Sequence, residues 1–331
     1  MAVQFTGIVA EHLAVRRQAG LFDISHMGRL VIAGPGADAA VEMMLTRRTA
    51  DMTPGDIRYS FIADARGDIL DDLMVARRDD GWHLVVNAAN RRRVVAQVQG
   101  AGFGELLSDH TLETAMLALQ GPRSVEMMRQ VWPEAGPGER RRYTLWSAAR
   151  GGASLVGSRS GYTGEDGFEV SGPPRAVEAL WLDLRAAGAA ACGLGARDSL
   201  RNEAALPLYG HELREDTSPW ELGLAYAVDL DKAFLGRDEL LRRRDGGVRQ
   251  KRVGLVLTSR RIARENMPVF RGTTPVGMVT SGTWSPLAEA PIAQAYLDAG
   301  AADEGGDVEI DVRGRREPAR IVPLGDLLRR K

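Results

Sequence analysis

Two short segments carry most of the information in this chain. The first reads Gly-Tyr-Thr-Gly-Glu-Asp-Gly-Phe-Glu at residues 161–169, and the second reads Gly-Ala-Arg-Asp-Ser-Leu-Arg at residues 195–201. The first joins glycines, an aromatic ring and carboxylates in a turn-rich stretch that leads into a predicted strand. The second sets Arg197 and Arg201 four residues apart, on one face of a predicted helix. Together they offer the groups needed to hold a flat, polar ligand that bears its own carboxylates.

Length and composition place the chain among soluble globular proteins of two or three domains. It has 331 residues, of which 44% are hydrophobic and 26% are charged. Its 43 basic and 44 acidic residues leave a net charge of -1, which argues against bulk binding to nucleic acid or a membrane. The single cysteine, Cys192, excludes internal disulfides and is expected to be a buried small residue in a reducing compartment. The sequence therefore predicts a cytoplasmic protein.

Apolar runs that are typical of strands alternate with amphipathic helices in the first two thirds of the chain. A strand is expected at residues 30–32, a helix at 37–45 and another strand at 84–86, after which Asn90 is a candidate helix cap. A further helix should bury the face formed by Val177, Leu180, Trp181 and Leu184.

The last eighty or so residues change character, and short strands with turn residues between them predict a small β-barrel or sandwich. The expected strands lie at residues 253–257, 276–279, 308–312 and 319–322.

Several kinds of chemistry find no support in the sequence. The five histidines are scattered, with no His-x-x-x-His and no cysteine cluster, so we expect no metal site. There is no Gly-x-Ser-x-Gly nucleophile segment and no phosphate loop. The pair Gly193 and Gly195 does not extend to a third glycine, so a dinucleotide-binding fold has no support.

The pair Asp71-Asp72 is flanked by apolar residues on both sides. Successive side chains of a strand point to opposite faces, so one of the two aspartates is forced toward the side that its apolar neighbours would bury. A half-buried carboxylate is costly unless it is paired or serves a cationic ligand. The alternative is a β-turn with two solvated aspartates.

The two glycine-containing segments also have structural alternatives. Tyr162 and Glu169 lie seven residues apart across a turn and could meet one ligand, or the glycines could serve only a hairpin turn. Arg197, Asp198 and Arg201 could instead form a surface set of salt bridges, which contributes little to stability.

Taken together, these segments resemble the glycine cleavage system T-protein family, the tetrahydrofolate-dependent aminomethyltransferases. The matching stretches run in order along nearly the whole chain, at residues 21–27, 67–73, 84–87, 118–122, 161–169, 193–201, 208–210 and 279–283. The resemblance implies an α+β fold of three subdomains around a folate channel. Two would be mixed α/β subdomains and the third a C-terminal β-barrel. The implied boundaries are residues 1–30 with 115–240, 31–114 carrying Asp72, and 250–331.

The resemblance also implies a reaction. An aminomethyl group is taken from the lipoyl arm of the H-protein and its carbon is passed to tetrahydrofolate, so that ammonia, methylenetetrahydrofolate and dihydrolipoyl H-protein result. By position Asp72 matches the family's essential aspartate, whose fixed negative charge would favour a carbon that becomes cationic as ammonia leaves. The residues implied to line the folate site are Met27, Tyr59, Asn87, Tyr162, Glu169, Arg197 and Arg264. Glu169 suits the aminopyrimidine edge of the pterin, and the two arginines suit pterin or glutamate carboxylates.

Some features depart from the family pattern and leave alternatives. The chain begins close to where the family has already completed an N-terminal segment, so we expect either a misassigned start or an impaired, truncated member. Ala76 stands where many members carry an aromatic residue beside the folate. A demethylase that uses another methylated donor would keep the pterin site. A folate-binding relative tied to iron–sulfur assembly is disfavoured, because residues 160–165 lack its cysteine and glutamine.

Overall fold

The structure is a computed structural model that describes residues 1–328 and forms two compact units. The first unit comprises Met1–Gly161, Glu165–Leu194 and Tyr226–Leu241. The second unit comprises Tyr162–Gly164, Gly195–Ala225 and the chain from Arg242 onward. In the described part of the chain, no helix is both long and apolar enough to cross a membrane.

The first unit contains eleven strands and five helices among the described residues. The strands are β1 (Gly20–Asp23), β2 (Gly28–Ile32), β3 (Ile57–Ala63), β4 (Ile69–Arg78), β5 (Gly81–Val86), β6 (Leu107–Asp109), β7 (Ala115–Gln120), β8 (Leu145–Arg150), β9 (Ala153–Ser158), β10 (Gly167–Gly172) and β11 (Ala190–Ala191). The helices are α1 (Ile8–Arg17), α2 (Ala37–Met44), α3 (Arg91–Gly100), α4 (Ser124–Val131) and α5 (Pro174–Ala186).

These strands form two sheets. One has five antiparallel strands in the order β3-β4-β5-β2-β6. The other has six strands in the order β11-β1-β7-β10-β9-β8, in which only the β1–β11 pair is parallel. An isolated bridge between Asp56 and Thr144 joins the two sheets next to the starts of β3 and β8.

Each sheet buries one face against its own helices. In the five-stranded sheet, Leu73 and Val75 of β4 belong to a core that includes residues of α2 and α3. In the six-stranded sheet, Leu117 and Phe168 belong to a core that includes residues of α4 and α5. Because side chains alternate along a strand, the opposite face of each sheet carries the other half of the residues and remains available for polar groups.

Most of the elements expected in this unit are confirmed. The strands at residues 30–32 and 84–86 lie in β2 and β5, and the helix expected at 37–45 is α2. In α5, Val177, Leu180 and Leu184 are buried as expected, and the partly buried Trp181 packs against the same core. Cys192 is buried, and burial together with the nearby charge of Glu11 raises the pKa of its thiol to about 12, which agrees with a structural role.

Asn90 is the N-cap residue of α3, as expected, but its side chain makes no capping hydrogen bond. Asn90 does precede α3, and its carbonyl oxygen accepts the hydrogen bond of the Val94 N–H. Its side-chain amide instead donates to the carboxylate of Asp71 at 2.7 Å. A cap would use the amide oxygen of Asn90 to accept an N–H of the first helical turn. The buried carboxylate of Asp71 instead needs a donor, and the amide NH2 group of Asn90 supplies it.

The second unit is built around a closed barrel. The helices are α6 (Leu194–Glu203) and α7 (Pro219–Leu222), and α8 (Arg237–Asp245) crosses the division between the units. The barrel strands are β12 (Gln250–Leu257), β13 (Pro268–Arg271), β14 (Thr274–Ser285), β15 (Ala290–Asp298), β16 (Asp307–Asp311) and β17 (Arg316–Val322). They close in the order β12-β15-β14-β13-β16-β17 around an apolar interior.

The predicted fold class, mixed α/β followed by a C-terminal β-barrel, is therefore confirmed, and the barrel rather than the sandwich is the correct alternative. The strands of the five-stranded sheet come from residues 28–109, and those of the six-stranded sheet come from 20–23 and 115–191. The three-subdomain boundaries expected from the resemblance stay a prediction.

Candidate active site

The paired aspartates lie within β4, and strand alternation sends them to opposite faces. Asp71 is fully buried on the face that carries Leu73 and Val75, whereas Asp72 is partly exposed on the other face. The expectation that one aspartate is turned toward the buried side is confirmed. The alternative of a β-turn with two solvated carboxylates is wrong.

The carboxylate of Asp71 is surrounded by amide donors. Its Oδ2 accepts the backbone N–H of Asn87 at 2.9 Å, and its Oδ1 accepts the side-chain amides of Asn87 and Asn90 at 2.8 and 2.7 Å. These donors come from the end of β5 and the residue that precedes α3. They satisfy a carboxylate that would otherwise be too costly to bury.

The carboxylate of Asp72 has both oxygens fixed. Its Oδ2 accepts the hydroxyl of Tyr59 at 3.0 Å, and its Oδ1 accepts the side-chain amide of Asn87 at 2.8 Å. The amide nitrogen of Asn87 is thus shared by Asp71 and Asp72, which brings the two carboxylates together on either side of one donor. This arrangement gives the partly exposed Asp72 a fixed direction.

Burial and mutual repulsion control the charge of this pair. Burial raises the pKa of Asp71 to about 7, the negative charge of Asp72 adds to the increase, and the amides of Asn90 and Asn87 oppose it. Burial also raises the pKa of Asp72, against the hydrogen bonds from Tyr59 and Asn87. Two interacting carboxylates lose their protons in two steps that belong to the pair. The pair consequently holds on to a proton at a higher pH than an ordinary aspartate does.

Tyr59 lies on β3 on the same open face as Asp72. Its ring packs edge-on against Phe61, with the ring centres 5.5 Å apart, and lies 6.3 Å from the ring of Tyr226. These contacts fix the ring, so that its hydroxyl remains directed at Asp72.

A cleft in the first unit is lined by residues of both sheets. The five-stranded sheet contributes Met74, Ala76 and His83 among others, and the six-stranded sheet contributes Glu169 of β10. The hydroxyl of Ser160 donates to Glu169 Oε2 at 2.8 Å and holds that carboxylate. Met27 lies between β1 and β2, is partly buried, and uses its carbonyl oxygen to accept a hydrogen bond from Arg29 at 2.6 Å.

Three of the expected folate residues lie in the second unit. The guanidinium carbon of Arg197 lies 4.8 Å from the ring centre of Tyr162, a cation–π arrangement. The hydroxyl of Tyr162 donates to the carbonyl oxygen of Pro207. Arg264 is exposed and donates to the carbonyl oxygen of Gly282 at 3.1 Å. The structure thus places Arg197 in contact with Tyr162, whereas Arg264 contacts Gly282.

Arg201 does not belong to a surface set of charges, and that alternative is wrong for this residue. It is buried, and it donates to Asp198 at 2.8 Å and to the fully buried Glu212 at 2.6 Å. Glu212 also accepts the hydroxyls of Thr280 and Ser281 of β14. Burial favours the neutral form of Glu212, but Arg201 and the hydroxyl donors outweigh it and lower the pKa of this carboxyl. Arg201 therefore has a structural role within the second unit.

Sequence reasoning missed several residues that the site uses. The side-chain amide of Asn90 supports the aspartate pair, Ser160 holds Glu169, and His83 lines the cleft. The sequence signal for Asn90 is its position shortly after an apolar strand and Asn87. At such a position an asparagine can serve as a hydrogen-bond donor or as a helix cap. No comparable signal marks Ser160 or His83.

The geometry defines a class of protein: a mixed α/β scaffold that carries one buried and one partly exposed carboxylate side by side, followed by a closed C-terminal barrel. A family model described as the GCVT N-terminal domain matches residues 1–232, and one described as the glycine cleavage T-protein C-terminal barrel domain matches residues 250–325. The chain therefore belongs to the glycine cleavage T-protein family, as the sequence resemblance indicated.

Individual relatives agree with this assignment. An aminomethyltransferase of Rubrobacter xylanophilus is 44% identical over 98% of this chain and 87% of its own length. One of Moorella thermoacetica is 44% identical over 98% of this chain and 90% of its own. The crystal structure of the glycine cleavage system aminomethyltransferase T from Bartonella henselae superposes with a TM-score of 0.90 at 33% identity, covering 98% of this chain and 90% of that one.

Replacing Arg201 with leucine should destabilise the protein strongly. The variant leaves the carboxylate of Glu212 buried without its cationic partner, so we expect the free energy of unfolding to fall by about 3–5 kcal/mol. Urea-induced unfolding measures this change. The matched control is Arg123→Leu, because Arg123 forms an exposed ion pair with Glu126 and its loss should change stability little. Equal effects of the two substitutions would contradict the structural role given to Arg201.

Proposed function

We propose that this protein is the aminomethyltransferase of a glycine cleavage system. It transfers the methylene of aminomethyl-lipoyl H-protein to tetrahydrofolate and releases ammonia, with lipoylated H-protein as its protein partner. The observation that carries the proposal is the carboxylate of Asp72, which is partly exposed on an open sheet face and fixed by Tyr59 and Asn87. The cytoplasmic location expected from the sequence stays a prediction.

The reaction needs a negative charge close to the carbon that is transferred. That carbon loses its bonds to the lipoyl sulfur and to the departing nitrogen, and it becomes electron-poor as ammonia leaves. Tetrahydrofolate, when bound, supplies the two amine nitrogens that take up this carbon. A carboxylate held in place beforehand stabilises such developing positive charge without reorganising. Asp72 fits this role, because hydrogen bonds already fix both of its oxygens.

Asp71 and its amide donors position Asp72. Because Asn87 donates to both carboxylates, its side chain is fixed by Asp71 and in turn fixes Asp72. The buried Asp71 is also a place where the pair can hold a proton near neutral pH. We propose that Asp71 and Asn87 keep the direction and the charge of Asp72 constant through the reaction.

The pterin of tetrahydrofolate has an edge of N–H donors that suits a carboxylate, and Glu169 offers one in the cleft. Ser160 occupies one lone pair of Glu169, and the remaining acceptor positions suit a flat ligand edge. We propose that Met27, Tyr59, Asn87 and Glu169 of the first unit contact the folate. For Tyr162, Arg197 and Arg264 of the second unit, the same role is proposed from the family resemblance, with the guanidinium groups suited to carboxylates.

Replacing Asp72 with asparagine removes the charge and nearly preserves the shape. We expect kcat for folate-dependent ammonia release to fall by about 100- to 1,000-fold, because a fixed electrostatic partner of the reacting carbon is lost. The affinity for tetrahydrofolate should change far less. The matched control is Asp79→Asn, which alters an exposed aspartate at the end of the same β4–β5 pair and should leave kcat unchanged. Wild-type turnover in the Asp72 variant would rule out the electrostatic role.

The pH dependence of kcat should reveal the ionisation of the carboxylate pair. If catalysis needs ionised Asp72, kcat falls as pH falls through its pKa, which lies above the ordinary value because of burial. Replacing Asp71 with asparagine should leave the acid limb in place, because Asp71 keeps its proton until about pH 7 and is therefore neutral while Asp72 ionises. Assays of the wild type and the variant across roughly pH 4–9 would compare the two acid limbs. An acid limb that moves in the Asp71 variant would contradict this order of ionisation.

A further inference from the structure

One polar side chain in the cleft of the first unit has no role in the reaction as described above. His83 lies on β5 and lines the cleft together with Ala76 and Met74 of β4. In the register of the two strands, Ala76 is paired with His83 and Met74 with Val85. His83 therefore shares a sheet face with Asp72. Asp72 precedes Ala76, the strand partner of His83, by four residues on β4, which corresponds to roughly 13 Å along the strand.

The imidazole of His83 is buried but unsatisfied. The residue is 7% exposed, and within residues 1–328 neither ring nitrogen has a hydrogen-bond partner. A buried polar group without a partner is costly, and native structures seldom keep one without a reason. Burial, with the positive charges of Arg78 and Arg29, lowers the pKa of His83 to about 4. The ring is therefore neutral near pH 7 and offers one donor and one acceptor.

The other side of the cleft is complementary. The six-stranded sheet supplies the carboxylate of Glu169, and Ser158 and Ser171 also line the space. Apolar side chains, among them Val85 and Val156, form the rest of the lining. Apolar walls with a few polar groups are typical of a site for a flat heteroaromatic ligand that has both donors and acceptors on its edges.

We propose that His83 is a specificity-determining residue that hydrogen-bonds the pterin ring of the folate in this cleft. Ala76, which is paired with His83 across the two strands, lines the cleft with a small side chain. The inference rests on the proposed function for the identity of the ligand, and it goes beyond that function by assigning to His83 a contact with the pterin part. A neutral imidazole in this position recognises hydrogen-bonding groups, whereas an apolar residue would only pack against the ring.

The proposal has a signature that separates it from a structural role. If His83 only filled space, leucine would fill it as well, and the protein would gain stability because an unsatisfied imidazole is removed. If His83 binds the ligand, the same substitution gains stability but loses affinity, since stabilising changes at binding sites commonly reduce function.

The test compares two probes, tetrahydrofolate and its fragment 6-methyltetrahydropterin, on the full chain. For His83→Leu, we expect the Kd of both probes to rise by about tenfold, the value of one lost hydrogen bond at the upper end of its usual range. The melting temperature should stay equal or rise by about 2 °C. In the transfer assay, the KM for tetrahydrofolate should rise more than kcat falls. His83→Gln keeps a donor and an acceptor and should recover much of the affinity.

The matched control is His110→Leu, because His110 is partly exposed and pairs with Glu113 outside the cleft lining. The inference is overturned if His83→Leu binds both probes as the wild type does, or if it weakens tetrahydrofolate but not the pterin fragment. It is also overturned if the wild type binds neither probe. If His83→Leu does not fold, the smaller His83→Ala, which also lacks hydrogen-bonding groups, takes its place. A Kd that rises for both probes in this variant decides in favour, and an unchanged Kd decides against.

These outcomes differ from a failure of the proposed function. A wild type that releases ammonia in a folate-dependent way, with no effect of His83 substitutions, would reject only the role of His83. A wild type that binds the pterin fragment through His83 but releases no ammonia would reject only the aminomethyl transfer.

Discussion

The side-chain amide of Asn87 is the contact on which the candidate site depends. It donates to Asp71 and to Asp72, which point to opposite faces of β4, and so it ties a fully buried carboxylate to a partly exposed one. The contact exists because β4 and β5 pair in a register that places Asn87 just beyond the last paired residues, Leu73 and Val86. A shift of this register by one residue would turn every side chain of the strand to the other face. The packing of the sheet against its helices therefore also fixes the direction of the Asp72 carboxylate.

The sequence predicted the aspartate pair but not its surroundings. Apolar residues on both sides of Asp71 and Asp72 indicate a strand, and alternation then requires one buried carboxylate. The partners of that carboxylate were less accessible, because Asn90 lies 19 residues away along the chain and also fits the pattern of a helix cap. A cap would use the amide oxygen of Asn90 as an acceptor, whereas the buried Asp71 needs its NH2 group as a donor. Only the tertiary fold brings Asn90 to a buried Asp71.

The two arginines of residues 195–201 also show what a local sequence pattern cannot predict. The spacing of Arg197 and Arg201 correctly placed both on one helix, α6, but it could not distinguish a ligand-binding arginine from a structural one. Arg201 is paired with Glu212, a buried carboxylate eleven residues later, while Arg197 lies over the ring of Tyr162. The difference arises from the turn that returns Glu212 to α6 and from the hydroxyls of β14, neither of which a local pattern contains. His83 is a further example, because only the cleft and the lack of a partner within residues 1–328 distinguish it from a core histidine.

We propose above all that this scaffold transfers an aminomethyl carbon to folate. The most direct measurement is ammonia release from aminomethyl-lipoyl H-protein by the wild-type chain, with and without tetrahydrofolate. We expect rapid release that depends on tetrahydrofolate, with methylenetetrahydrofolate formed in equal amount. Folate-independent release, or no release from a folded protein that binds tetrahydrofolate, would contradict it.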